Sequence, residues 1–518
     1  MGFTFSTANI RENQIVFIYE DCADTGVRKI AGRVRADIAK IFGAKPVGVM
    51  YENFGDTAAF YSFPVFFGTV GKSGILDKLA AASAVRLFDI AGETEVYSLF
   101  VIDDLEFEGF SFESALVIAG SDRKGTIYGL FALAEMLGIL PFSELGDAKI
   151  QKNRTVTLNV SDSFVSKPPS IKHRGFLTDR KELNEKDYND LFELLLRFRG
   201  NCISAPGLSE GSGDEIRAAA EELGITFIDP SSGESAALFD VSELFSEKHR
   251  LSYFMDKAFE ADRWSAEDPD GMHHYTEHFV HSYFPSFTQK ECDEAASLLD
   301  GCDGCDDAPS FSDSIAMLDD AENRTDLAER LLKDVGKDSA PAFFDLVYLP
   351  VTALLNRRKI RLLTLQNHVY ALLGSTYANT LAEKIRECVK TDRKLTRKHH
   401  IPADDMNCHV IHEVIPETKP RLIARIPESG ECSDGAFIEL STASEGKISF
   451  KMSWSDAFID IPDPAKSVKC GRIRRVPVVF DHTKMSADTE RAGAVVTIEY
   501  EGGHMTVSVP APATDGAK

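Results

Sequence analysis

Hydrophobic and polar positions change their period along the chain in four stages. Up to about residue 165, apolar runs alternate with a helical stripe. QIVFIYED at 14–21, PVFFGTV at 64–70 and YSLFVIDD at 97–104 read as strands, whereas Val27, Ile30, Val34, Ile38 and Ile41 recur at helical spacing. SALVIAG, from Ser114, then runs through a Gly-bounded turn into an amphipathic helix. VTLNV at 156–160 closes this α/β segment, and Pro168-Pro169 marks a boundary. From 166 to 256 the rhythm is that of short βα units. IKHRGFL, NCISAP and ITFID are strands, separated by helices KDYNDLFELLLRFRG and DEIRAAAEELG, and LSYFMD at 251–256 is a candidate fourth strand. Residues 257–415 are mostly helical, with Pro350 expected to kink or restart the longest stretch. From 416 to 518, alternating runs separated by turn residues predict an all-β segment whose last two strands form a hairpin around Glu501-Gly502-Gly503.

The predicted fold is therefore multidomain, α/β plus α plus β. Its parts are an N-terminal α/β domain (1–165), a truncated (β/α) barrel-like region (166–256), a helical bundle (257–415) and a C-terminal β-sandwich (416–518). A closed eight-stranded barrel takes about 200 residues or more, so the second part has room for three or four units only. An open parallel sheet has two edges to cover. Either the helical segment covers one, or two chains associate as a homodimer.

Charge narrows the partners. A formal net charge of −24 opposes nucleic acid and anionic membrane as general partners. It does not oppose an anionic sugar, because a single Arg can grip a carboxylate. The start, MGFTFSTANIRENQ, does not read as a signal peptide, so a cytoplasmic location with free thiols is expected for the nine scattered cysteines.

Several motifs have plainer readings. GTVGKSG at 68–74 lacks the leading Gly of a phosphate-binding loop, and GSDRKGT at 120–126 has Thr126 where that loop needs Lys; a tight strand-to-helix turn explains the second. Cys302 and Cys305 form a single CxxC with no second pair to complete a zinc site. His274, His278 and His281 would share one helix face, better read as a solvated face than a metal site. No metal and no cofactor are expected. In βα architectures the chemistry lies at the C-terminal ends of the strands. Those positions hold Asp179, then Leu208 to Glu210, then Asp229 with Glu234, and Asp256 after the candidate fourth strand.

SALVIAGSDRKGTIYGLFALAEMLGILPF resembles the end of the N-terminal domain of glycoside hydrolase family 115 α-glucuronidases. PPSIKHRGFLTD with YNDLFELLLRFRGNCISAP resembles the start of that family's barrel, and LSYFMDKAFEADRW its last strand and exit. VYLPVTALLNRRKIRLLTLQNHVYALLG with YANTLAEKIRECVKTDRKLT resembles its helical domain, and MSWSDAFIDIPD onward its C-terminal β-domain. The resemblance implies hydrolytic removal of (4-O-methyl)glucuronic acid from xylan, with glucuronoxylan fragments as the carbohydrate partner. Arg174, Asn201 and Asn367 match the family pattern as substrate-binding positions, and His409 matches loosely. Arg180 and Lys181 reverse the charge of the family's acidic cluster beside Asp179. Glycoside hydrolysis needs two carboxylates, one acid and one base or nucleophile, and Asp179 and Glu210 are the candidates. A catalytically inactive carbohydrate- or protein-binding scaffold is the alternative.

Overall fold

The structure is a computed structural model and describes residues 2–143, 155–179, 183–208, 213–229, 235–241, 248–263, 271–301, 309–399, 410–427, 436–485 and 493–510. The chain divides into two units, one comprising Met1–Asp300 with Leu331–Pro350, the other Gly301–Arg330 with Val351–Lys518. Helices and several sheets alternate, so the fold is mixed α/β.

In the first unit, a six-stranded sheet has the order Val47–Met50, Ile15–Tyr19, Phe63–Thr69, Phe110–Gly120, Tyr97–Phe107, Phe164–Val165. Its first four strands are parallel and the last two pairings antiparallel. Phe63–Thr69 is buried along its whole length, as befits a central strand covered on both faces. The helix Thr25–Phe42 buries the stripe anticipated from its spacing, Val27, Ile30, Val34, Ile38 and Ile41. Asp24 caps its first turn by accepting from the Gly26 amide, and Gly43 ends it in the left-handed conformation.

The GSDRKGT turn is a packing device. A Cβ at Gly120 would collide with the Thr126 amide, so only glycine lets strand and helix meet there. Asp122 caps the helix Arg123–Met136, and the buried Thr126 hydroxyl bonds Thr69 Oγ1 at 2.8 Å.

A second, four-stranded parallel sheet in this unit has the order Thr226–Phe227, Cys202–Ser204, Arg174–Leu177, Ala237–Asp240. The first three strands lie where the sequence placed them; the fourth does not. LSYFMD belongs to the helix Lys248–Phe259. Leu251, Met255, Ala258 and Phe259 are all buried, which is a helical face with a period that six residues cannot reveal. The fourth described strand is instead Ala237–Asp240, and Phe239 aligns with Phe176.

Pro350 does not break helical structure: the helix Leu349–Leu372 begins one residue before it, directly after the π-helical turn Phe344–Tyr348, and Tyr377–His399 follows in the second unit. Two antiparallel sheets share one apolar core. One orders Leu422–Arg425, Phe437–Thr442, Arg474–Pro477; the other Ala465–Lys469, Lys447–Trp454, Ala494–Tyr500, Gly503–Val509. Ile438, Leu440, Phe450, Met452, Val476 and Ile498 are among the buried residues of that core. The last two strands form the expected hairpin, with Tyr500 opposite Gly503.

Candidate functional site

The C-terminal ends of the four parallel strands are where a βα scaffold places reacting groups. Asp179 follows Arg174–Leu177, Asp240 ends Ala237–Asp240, and Asp229 follows Thr226–Phe227; all three are exposed. Asp240 aligns with Leu177 on the neighbouring strand, two residues before Asp179. Positions two apart share a face of a sheet. One strand spacing sideways and two residues along put the Asp179 and Asp240 Cα atoms about 8 Å apart. Val241 N donates to Leu177 O at 2.9 Å and Thr178 N to Ser204 O at 2.9 Å, so the sheet pairing holds through these ends. Asp240 was not found from sequence because AALFD is short and carries no turn signal. Its Leu-Phe pair before an acid was the only available clue. Glu210 and Glu234 lie outside the described residues. Asp256 lies on a helix, not at a strand end.

Arg174 and Asn201 occur at the opposite, N-terminal end of the sheet. Arg174 is wholly buried, and its guanidinium forms an ion pair with Glu95. It also donates to Ile171 O at 3.1 Å and lies over the Phe259 ring, 5.1 Å from its centre. Asn201 donates to Glu95 Oε1 at 2.9 Å and to Lys172 O at 2.6 Å, while its own Oδ1 accepts from the Arg174 amide at 3.1 Å. Lys124 also pairs with Glu95. Burial pushes the Glu95 carboxyl upward, but Arg174 and Lys124 outweigh it and hold the group below its ordinary value. Glu95 has a left-handed backbone, φ 59°, and its amide donates to the helix-capping Asp122 at 3.0 Å. The cluster thus joins the first sheet to the second. The thiol of Cys202, buried beside it, is pushed up to about 12 by burial.

Asn367 is fully buried in the second unit. Its Nδ2 donates to Ala378 O at 2.8 Å and His412 O at 2.9 Å, and its Oδ1 accepts from the His412 amide at 2.8 Å. It therefore ties two helices to an extended segment. The structure brings Arg174 and Asn201 together and leaves Asp179 at the other end of their sheet. His409 and the Cys302/Cys305 pair lie outside the described residues.

A cavity of about 130 Å³ in the first unit is lined by Glu135, Arg199, Asp256, Arg263, Tyr275 and His278, among others. Its charges are matched in pairs: Arg199 with Glu135, and Arg263 with Asp256 at 3.4 Å. The helix Gly271–Tyr283 carries His274, His278 and His281 on its exposed side. Among the described residues no three His, Cys, Asp or Glu side chains converge as metal ligands.

No family model matches this sequence. No curated protein matches it either. Solved structures do. A family GH115 4-O-methyl-α-glucuronidase with specificity for decorated arabinogalactans matches at a TM-score of 0.57 and 11% identity, over 98% of this chain and 100% of that one. A GH138 enzyme targeting pectin rhamnogalacturonan II covers 96% of this chain and 97% of its own at 8% identity and a TM-score of 0.34. The protein CpGH84D covers 75% and 90% at 8% and 0.34. The fold of this chain resembles that of the family 115 structure over almost its whole length.

Proposed function

We propose that the chain is a carbohydrate-active protein that hydrolyses a (4-O-methyl)glucuronic acid side chain from a xylan fragment at the C-terminal face of its four-stranded sheet. The observation that carries this reading is the placement of Asp179 and Asp240 at neighbouring strand ends. Their Cα atoms, about 8 Å apart, leave the two side chains able to hold their carboxyl groups at the roughly 6.5–9.5 Å that inverting glycosidases use, where a water must fit between base and sugar. One carboxylic acid protonates the departing oxygen while the other carboxylate activates the water. Asp179 takes one role and either Asp240 or Glu210 the other. Arg174 and Asn201 act from the far end of the same sheet, fixing the strand that carries Asp179.

A second reading, a sugar-binding scaffold without turnover, draws support from a different observation. The Arg and Asn that the family resemblance assigns to the substrate are both committed to Glu95 inside the fold. Incubating purified protein with glucuronoxylan and with aldouronic acids, and measuring released glucuronic acid, separates the two. The hydrolase reading expects release, reduced about 10²- to 10⁴-fold in kcat by Asp179→Asn and by Asp240→Asn. No release at high protein concentration, with sugar binding retained, selects the scaffold. Full activity in both variants would remove the proposed pair.

A further inference from the structure

The second unit carries a surface that contradicts the charge of the chain as a whole. A groove of about 780 Å³ runs along the helix Tyr377–His399. Its walls are Arg386, Lys390, Arg393, Lys394, Arg397 and Lys398, all exposed, and no carboxylate lines it among the described residues. Val389 and Ile411 supply its apolar part. Arg386 is paired with Glu413. In a chain of net charge −24, six cations within thirteen positions form a local reversal of sign.

The stripe also acts against the helix that carries it. Arg386 and Lys390, Lys390 and Lys394, Lys394 and Lys398, and Arg393 and Arg397 are like-charged neighbours at i and i+4, an arrangement that destabilises a helix. Favourable interaction with the helix C-terminus accounts for cations in the last turn only, because the dipole effect fades beyond it. Arg386, Lys390 and Arg393 lie earlier. The opposite side of the same helix is ordinary: Leu381, Ala382 and Ile385 are buried, and Asp392 pairs with Arg357 at 3.0 Å.

We propose that this groove is a binding subsite for a linear uronate-bearing polysaccharide. From position 386 to 398 the helix rises about 18 Å, long enough for the stripe to meet carboxylates on successive sugar units. Val389 and Ile411 offer apolar contact to the ring faces between them. A polyuronate suits the site better than duplex nucleic acid. The duplex carries a charge about every 1.7 Å along its axis and is opposed by the net negative chain, whereas a uronate chain bears at most one charge per sugar. The choice of carbohydrate rests on the reading of the fold as carbohydrate-active, while the charge argument stands without it.

The 518-residue protein and its Lys390→Gln/Arg393→Gln/Lys394→Gln/Arg397→Gln variant would be run in native gels containing sodium polygalacturonate, neutral arabinoxylan or no polymer, and titrated with a short DNA duplex. All four positions are exposed, so circular dichroism should be unchanged in the variant. Retardation of the wild type by polygalacturonate alone is expected, weakened about tenfold or more in the variant and falling steeply with added salt. Equal retardation of both proteins, no retardation of the wild type, or tighter binding of DNA than of polygalacturonate would overturn the proposal. Glucuronic acid release is read separately: a protein that is retarded but releases nothing keeps this groove and loses the hydrolase reading. One that hydrolyses aldouronic acids without retardation does the reverse.

Discussion

Replacing Arg174 by Met tests whether this residue supports the fold or holds a ligand. The change keeps the apolar bulk between Tyr128 and Phe259 and removes the charge. Arg174 is wholly buried and the Glu95 side chain is 3% exposed, so the loss leaves a carboxylate that water cannot reach. Breaking such a pair costs about 3–5 kcal/mol. Lys124 and the Asn201 amide still face Glu95, which places the expected cost near the lower end, about 3 kcal/mol. At about 1.4 kcal/mol per factor of ten, local opening of the sheet should become about a hundredfold more frequent. Native-state hydrogen exchange reads this at the Asn201 amide, which donates to Arg174 O, and at the Thr226 amide, which donates to Asn201 O. Adding Glu95→Gln should restore part of the protection, since it discharges the stranded group. The pH dependence has a definite sign. Glu95 is held below its ordinary value of 4.5 in the fold, so its contribution is full above that value and disappears as pH falls through the lower folded value. The gap between wild type and Arg174→Met should therefore close in acid. Unchanged protection in Arg174→Met, together with loss of uronate binding, would refute the structural role and restore Arg174 to the sugar.

Asn367→Ala removes three hydrogen bonds and leaves the His412 amide and carbonyl without their side-chain partner. A loss of about 2–3 kcal/mol is expected in the second unit, visible as a lowered melting temperature, with glucuronic acid release unaltered when assayed well below that temperature. Cys202 is wholly buried and its thiol is pushed up to about 12, so maleimide at pH 8 should label the exposed Cys22 in native protein but Cys202 only on unfolding.

The sequence made much of the fold legible where a period ran long enough. Five apolar residues over Val27 to Ile41 define one face of a helix, and they are buried together. LSYFMD failed because six residues fit either period, and the decisive Ala258 and Phe259 stand beyond the window. The Ala237–Asp240 strand, only four residues long, escaped notice, and Asp240 with it. Arg174 and Asn201 were recognisable as special positions, but their partner was not. Glu95 lies 79 residues from Arg174, and no local pattern announces a contact of that range. For Asn367 the same holds at a span of 45 residues to His412.

Position 95 illustrates how little latitude one residue can have. It must take up a backbone conformation that favours glycine, and it must deliver a negative charge to a lysine and an arginine at once. Glycine would satisfy the first demand and abandon the second. Glutamine would keep the shape and leave two cations facing a neutral amide. Aspartate tolerates the backbone better than glutamate but is one methylene shorter. Random mutagenesis scored on folding alone should therefore return very few replacements here, while tolerating many at the exposed strand ends where the proposed chemistry sits.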